Sequence, residues 1–530
     1  MSHAEGELAP AARKTIHALT ALLGLAALAL WASQAWRERF LCDDAFISFR
    51  YADHLARGMG LVWNAGEHVE GYTNFLWVLL MAGGLRLGLA PESLSQAFGL
   101  VSALALLVAL FLAGGSGPFG RLRGALVALG LGAHGSFAAW STSGLETMLF
   151  TLFVSSATWR FLRERREPER APWVAALLFA LATLTRPDGA LFAGLAGLFL
   201  LIETLRARAG GRALIAFSLA YALPVAAHLL WRLSYYGDWL PNTFRAKVPG
   251  TWIDQGLTYL GLYEREYHAL AFVPLALLAF LGHRRREAAL LATMLAAYLG
   301  YVVSVGGDRF EFRFLVVVLP HFTWLVVEGA STLAALASSR ASRLALGAVA
   351  GAALLAFLGL TWRGYGWQGG AVEGISPIAG VRAYCERRME EGRFLRASIE
   401  RGQLPKDLVL CVGGAGAVPY YTRWTTVDRR GLNDATIARL PMTERGVVAH
   451  ERDAPRSYLI ERRVAAFDFA NRLVWTSQQV QGVRARERDG LPLEIRAIQL
   501  GDEHFVFATF LPEAELAALF PGREILRGPK

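Results

Sequence analysis

The sequence predicts a polytopic α-helical membrane protein with a soluble α/β domain at its C-terminal end. Three observations predict this. The chain of 530 residues is 54% hydrophobic and 18% charged, against about 25% charged in an ordinary soluble domain. The deficit is local: residues 363–530 carry 25 Lys+Arg and 21 Asp+Glu, about 27% charged, whereas residues 1–362 are about 14% charged. The charge-poor part also repeats apolar runs of roughly the 20 residues a membrane helix needs. Two domains follow, 1–362 in the membrane and 363–530 outside it.

Taken in order, the apolar runs fall at 15–35, 93–113, 122–139, 145–163, 171–186, 189–205, 213–233, 268–282, 288–305, 314–336 and 342–361, eleven spans in all. The first follows Arg13 and Lys14 without a small-residue cleavage site, so it reads as a retained anchor. A further apolar stretch, 74–89, is short and contains Arg86. Loop charge decides its place. If it does not cross, the N-terminus and the basic loops 121–123, 160–170, 206–212, 283–286 and 340–343 share one side, as cytoplasmic loops do. If it crosses, they lie outside. The stretch is therefore read as a helix on the outer surface of the cytoplasmic (inner) membrane, with the N-terminus cytoplasmic and the C-terminal domain extracytoplasmic.

The net charge of +10 does not mark a nucleic-acid binder, since only Lys14, Lys247, Lys406 and Lys530 are lysines and the excess is arginine. Cys42, Cys385 and Cys411 lack metal spacing, and an extracytoplasmic location would allow Cys385 and Cys411 to pair.

The unusual polar residues lie in the outer loops. In the first, 38–73, Asp43 and Asp44 follow a span directly. One is expected to cap a helix starting near Ala45; a pair of like charges there also suits a general base or a metal ligand. Glu70, Tyr72 and Asn74 read as the lining of a polar sugar site, or, for Trp63, Tyr72 and Trp77, as interfacial anchors. Ser143 is expected to cap a span, with Glu146 in its first turn favoured by the helix dipole. Arg186 and Asp188 are expected to pair within a Pro-Gly turn. Arg245 and Lys247 suit a lipid phosphate or headgroups, and 252–267 reads as a further surface helix. In 306–313, Asp308 with Arg309 and Glu311 with Arg313 would neutralise each other. If that piece is helical, Arg309 and Arg313 share a face and offer a second phosphate site. In the C-terminal part, 408–412 reads as a buried strand leading into the glycine turn 413–416. The pattern falls short of a dinucleotide fingerprint, which rejects nucleotide binding. Residues 428–434 read as a strand end and loop facing the membrane-side cavity.

Six segments in order, Asp43–Tyr51, Glu70–Asn74, Ser143–Thr147, Arg186–Gly189, Leu240–Thr243 and Gly431–Asp434, resemble the GT-C-fold membrane glycosyltransferases. The nearest branch is the terminal β-(1→2) arabinofuranosyltransferases of cell-wall arabinan synthesis. The resemblance implies a polyprenyl-phosphate sugar donor, an envelope glycan acceptor and inversion at the anomeric carbon. It makes Asp43 the catalytic base with Asp44 in support, and any divalent ion (Mg, Mn or Ca) would sit on that pair. Arg245, Lys247, Arg309 and Arg313 are the expected phosphate ligands, and Glu70, Tyr72, Asn74, Glu146, Asn242 and Asp308 the expected sugar or acceptor ligands. Phe46 stands where relatives carry Tyr or Trp. The rival readings are a flippase or transporter of lipid-linked sugar and a non-catalytic envelope or motility assembly factor. A transporter would place charges deep within spans and break helices in related halves; the sequence shows little of either, and no internal repeat.

Overall fold

The computed structural model describes residues 9–115, 117–167, 170–206, 210–247, 250–337, 339–363, 370–442, 450–468, 471–480 and 494–527. Every apolar run is helical. Helices α1 (Pro10–Arg37), α2 (Ala45–Ala56), α3 (Phe75–Arg86), α4 (Pro91–Ala113), α5 (Pro118–Gly132), α6 (Gly135–Trp140), α7 (Thr147–Glu164), α8 (Trp173–Thr185), α9 (Gly189–Leu205) and α10 (Gly211–Tyr236) come first. Then follow α11 (Asn242–Lys247), α12 (Ile253–Tyr267), α13 (Val273–Leu277), α14 (Arg285–Ser304), α15 (Arg313–Val316), α16 (Leu319–Ala335) and α17 (Arg340–Arg363).

Among the described residues, five helices are long and apolar enough to cross a membrane by themselves: α1, α4, α10, α14 and residues Ala341–Trp362 of α17. The expected span 122–139 is divided between α5 and α6 around Ala133 and His134. The span 314–336 is divided between α15 and α16, where Pro320 opens the second helix. The stretch 268–282 is α13 flanked by 3-10 turns, with Pro274 in its first turn. Proline tolerates the first turn of a helix and not its interior, so both breaks sit where the chain offers one. Helix α3, at 12 residues, is about 18 Å long and falls short of a ~30 Å hydrocarbon core. The helix expected at 252–267 is present as α12.

Beyond the membrane helices, α18 (Ile378–Glu400) leads into a seven-stranded sheet: β1 (Val409–Val412), β2 (Thr425–Asp428), β3 (Ala466–Phe467), β4 (Val474–Thr476), β5 (Glu494–Leu500), β6 (Glu503–Thr509) and β7 (Ile525–Arg527). Its order is β2-β1-β3-β6-β5-β7, with β4 also on β6. Strands β2, β1 and β3 are parallel, Cys411 lying between Val427 and Phe467. The rest is antiparallel, from Phe467 opposite Ala508 onward. Helix α19 (Ala417–Thr422) follows β1 and packs on α18. The expected domain boundary at 362/363 lies directly before residues 364–369, outside the described residues.

All three cysteines are buried and free, so the pairing left open for Cys385 and Cys411 is not made. Cys385 on α18 packs into the large core shared with the membrane helices, while Cys411 packs with Val427, Ile437 and Leu459 in a separate cluster.

Candidate active site

A cavity of about 720 Å³ opens where the loops that carry Asp43, Lys247 and Arg309 meet the sheet. The membrane part contributes Asp43, Asp44, Lys247 and Arg309, and the C-terminal part contributes Tyr384, Asp428, Arg430, His450, Asn471 and the turn Gly413–Ala415. That turn, Asp428 with Arg430, and Asn471 follow β1, β2 and β3 respectively. The three parallel strands thus present their carboxyl ends to the cavity, the edge at which open α/β sheets bind ligands. Of the segment 428–434, Asp428, Arg430 and Leu432 line the cavity.

Neither aspartate caps α2 through its side chain, although Asp44 stands at the cap position. Asp44 pairs with Arg309. Asp43 instead reaches the C-terminal part, where its Oδ1 accepts from the Ala417 backbone N–H at 2.9 Å. Burial pushes the Asp43 pKa up against the pull of Arg388 and the Ala417 N–H. Burial acts the same way on Asp44, but Arg309, Lys247 and Arg313 outweigh it and hold that carboxyl below its ordinary value. Two adjacent carboxylates are driven apart by their surroundings, the pattern that separates acid and base roles. Arg309 Nη1 donates to His450 Nε2 at 3.0 Å. Burial, with Arg309 and Arg430 adding to it, pushes His450 down to about 3, so the ring is neutral and accepts. Lys247 projects into the cavity; burial lowers its pKa while Asp44 opposes that.

Among the described residues, no three His, Cys, Asp or Glu side chains converge as a metal site. Asp44 is taken by a guanidinium and Asp43 by an amide N–H, so the pair is a poor donor set for a divalent ion.

The other candidates lie outside the cavity lining. Arg245 is bound by Asp238 through Nε and Nη2 at 2.7–3.0 Å. Arg309 and Arg313 do not share a helical face: Gly306, Gly307 and Phe312 all have positive φ, and α15 starts only at Arg313. The expected pairings are exchanged as well, since Arg313 Nε donates to Asp308 at 2.6 Å and Glu311 accepts from the Ile378 N–H at 2.8 Å. Glu70 pairs with Arg232 of α10 at 2.8 Å. The Tyr72 hydroxyl meets that of Tyr236 at 3.1 Å. Asn74 Nδ2 donates to Glu146 Oε2 at 2.9 Å, and Glu146 Oε1 accepts from Arg186 Nη1 at 3.1 Å. Arg186 also pairs with Asp188 at 3.0 Å, as expected. Glu146 precedes α7 instead of sitting inside it, and Ser143 is not the cap. Asn242 Nδ2 donates to the carbonyls of Gly431 and Leu432, each at 2.9 Å.

These contacts join the six sequence segments to one another. The first, second and sixth meet at Tyr51, whose hydroxyl donates to Val69 O at 2.7 Å, accepts from Gly71 N at 2.9 Å, and lies 3.3 Å from Asn433 Oδ1. The second, third and fourth meet through Asn74, Glu146 and Arg186; the fifth and sixth through Asn242. Arg50, in the acidic segment, was not singled out from sequence. Its guanidinium lies over the Trp63 ring at 4.4 Å and donates to Trp63 O, Pro419 O and Trp424 O at 2.7–2.8 Å. Tyr384, Arg388, His450 and Asn471 were also missed. The readable signal was positional: a strand followed by glycines marks a ligand-facing edge even without a nucleotide fingerprint.

The family described as a domain of unknown function, DUF8728, matches residues 381–502. A protein named terminal beta-(1->2)-arabinofuranosyltransferase from Mycobacterium tuberculosis is 32% identical over 277 residues, covering 48% of this chain and 43% of that protein. A protein of the same name from Corynebacterium glutamicum is 29% identical over 346 residues, covering 56% and 48%. The chain thus spans about half the length of the curated relatives it matches. The crystal structure of ArnT from Cupriavidus metallidurans bound to undecaprenyl phosphate superposes with a TM-score of 0.57 at 15% identity, over 92% of this chain and 97% of that one. Its apo form superposes with a TM-score of 0.56 at 16% identity. The likeness shows the fold: a GT-C-like multi-pass membrane protein with a C-terminal sheet domain.

Proposed function

We propose that this chain is an inverting glycosyltransferase. It moves a sugar, a pentose such as arabinofuranose, from a polyprenyl-phosphate donor to an envelope glycan at the outer face of the cytoplasmic membrane. The observation that carries this reading is the meeting of three carboxylates, Asp43, Asp44 and Asp428, with three cations, Lys247, Arg309 and Arg430, in one cavity between the membrane helices and the carboxyl ends of a parallel sheet. The fold shared with ArnT and the two arabinofuranosyltransferase relatives support it. So does the loop-charge reading, which puts this cavity outside, with residues 1–362 as the membrane unit and 363–530 as the outer one.

In this mechanism the acceptor enters from the sheet side and the donor's lipid lies among the helices. Asp43 takes the proton of the acceptor hydroxyl as its oxygen bonds to the anomeric carbon. The bond from that carbon to the phosphate oxygen breaks, and polyprenyl phosphate leaves with its charge held by Lys247 and Arg309. Asp44 fixes Arg309 in place. No step is routed through a metal. Arg245, Arg313, Glu70, Tyr72, Asn74, Glu146, Asn242 and Asp308 act as the frame that sets the cavity's walls.

The test uses purified protein in nanodiscs with polyprenyl-phosphoryl arabinofuranose and an arabinan acceptor, following polyprenyl phosphate release and the product's anomeric configuration. The wild type is expected to turn over with inversion, and Asp43→Asn to lose at least ~100-fold in kcat, the usual scale for a general base. Equal turnover in both removes Asp43 from the mechanism. Absence of release with any polyprenyl-phosphate pentose or hexose overturns the reading.

A further inference from the structure

The glycine turn after β1 and the buried charges of α18 have no part in the mechanism above, yet both converge on Asp43. An added Cβ at Gly416 would stand 2.2 Å from the Asp43 carbonyl oxygen and 2.3 Å from its carboxyl. One at Gly414 would stand 2.1 Å from the Tyr384 hydroxyl, and one at Gly413 2.5 Å from Asn471 Oδ1. Each glycine therefore lets the backbone press against a residue of the cavity wall, and the last leaves the Ala417 N–H on Asp43. Behind Asp43 lies Arg388, with its side chain fully buried. It donates through Nη1 to Glu391 at 2.7 Å and to Asn471 O at 3.0 Å, and its Nη2 stands 3.7 Å from Asp468 Oδ2. Asp468 itself accepts from Gly413 N at 3.2 Å. The turn, Asp468 and Arg388 form one closed unit of the C-terminal domain.

We infer that this unit, within the domain of unassigned function, positions the catalytic base: Gly416 and Ala417 orient the Asp43 carboxylate, and the Arg388–Asp468 pair braces the turn that carries them. The inference rests on the proposed sugar transfer. Arg388 and Gly416 lie outside the cavity lining and act through Asp43. The groups facing Asp43 are Arg388, Tyr384 and Cys385 from α18, Asp44 and Arg309 from the membrane side, and the Ala417 N–H. Arg388 and the N–H favour the ionised carboxylate. Asp468 competes with Asp43 for Arg388.

Removing Arg388 and removing Asp468 must therefore shift the base in opposite directions. The experiment measures kcat against pH with donor and acceptor saturating, in the full-length protein, for wild type, Arg388→Met, Arg388→Lys, Asp468→Asn and Gly416→Ala. Since the base must be ionised, the limb rises with pH through its apparent pKa. The expected results are a limb moved up by roughly one unit in Arg388→Met, restored toward wild type in Arg388→Lys, and moved down in Asp468→Asn. Gly416→Ala is expected to lower kcat at least ~10-fold and move the limb up, with KM for the donor unchanged, since the donor's phosphate sits on other residues. A merely structural role lowers the active fraction at every pH and leaves the limb in place. A limb that stays put in the folded Arg388→Met and Asp468→Asn proteins overturns the inference. Full activity of Asp43→Asn would instead sink the underlying reading, so the two failures are distinguishable.

Discussion

Replacing Arg50 with Met tests whether one buried side chain clamps the first outer loop to the sheet domain. Arg50 bonds across the junction to Pro419 O and Trp424 O at 2.7 and 2.8 Å, and within its own loop to Trp63 O at 2.8 Å. Pro419 O keeps the Arg423 N–H, and Trp424 O keeps the Thr426 hydroxyl. The variant therefore loses two charge-assisted contacts between the parts without stranding those two carbonyls. At about 1.5–3 kcal/mol for each hydrogen bond to a charged group, the loss is about 3–6 kcal/mol. Relief of a buried cation offsets part of it, so the expected net is about 3 kcal/mol. Native-state hydrogen exchange of the full-length protein in nanodiscs reads this locally. Amides of residues 409–428 should open roughly 150-fold more often, since about 1.4 kcal/mol is a factor of ten. Exchange within a few-fold of wild type there would refute the clamp.

Three further outcomes are expected. Burial, opposed by the Ile378 N–H, raises the Glu311 pKa to about 7; a carboxyl so raised contributes stability that is full below its unfolded pKa of about 4.5 and lost as pH climbs through about 7. Thermal midpoints from pH 4 to 8 should therefore fall with pH more steeply in the wild type than in Glu311→Gln; parallel curves would count against it. Gly71→Ala places a Cβ 1.9 Å from Asn433 Oδ1, so overpacking should cost about 1–3 kcal/mol, and a thermal midpoint equal to wild type would contradict that. Lys247→Met should raise KM for the polyprenyl-phosphate donor at least ~10-fold while Asp43-dependent chemistry persists; an unchanged KM would take Lys247 out of phosphate binding.

Much of the architecture was readable because hydropathy and helix breakers are local properties. The apolar runs became helices, and Arg186 became extended ahead of Pro187 and ended α8, as the residue before proline does. The acid pair and the cations Lys247 and Arg309 also reached one cavity. What sequence could not show was partner choice. Residue types at Glu70, Asn74, Glu146 and Asn242 announce polar buried contacts, yet their partners lie between 26 and 192 positions away, and spacing along the chain carries no trace of them. The same holds for Arg309, whose nearest acid in sequence is Asp308 but whose partner is Asp44. The six segments looked like ligand-binding motifs because they are polar and lie in outer loops. Polar loops that must pack against one another without water look the same.

Asp43 and Glu311 each accept a backbone N–H from the C-terminal part, at Ala417 and at Ile378. That arrangement sets an order of assembly. Translation delivers the two acids, hydrated, before the segments that receive them exist. Until residues 378–417 have emerged, crossed to the same side and docked, the acids carry the ordinary pKa of free carboxylates and the cavity has no far wall. A nascent chain therefore holds both acids in water, and the cavity takes shape only once the C-terminal part has docked.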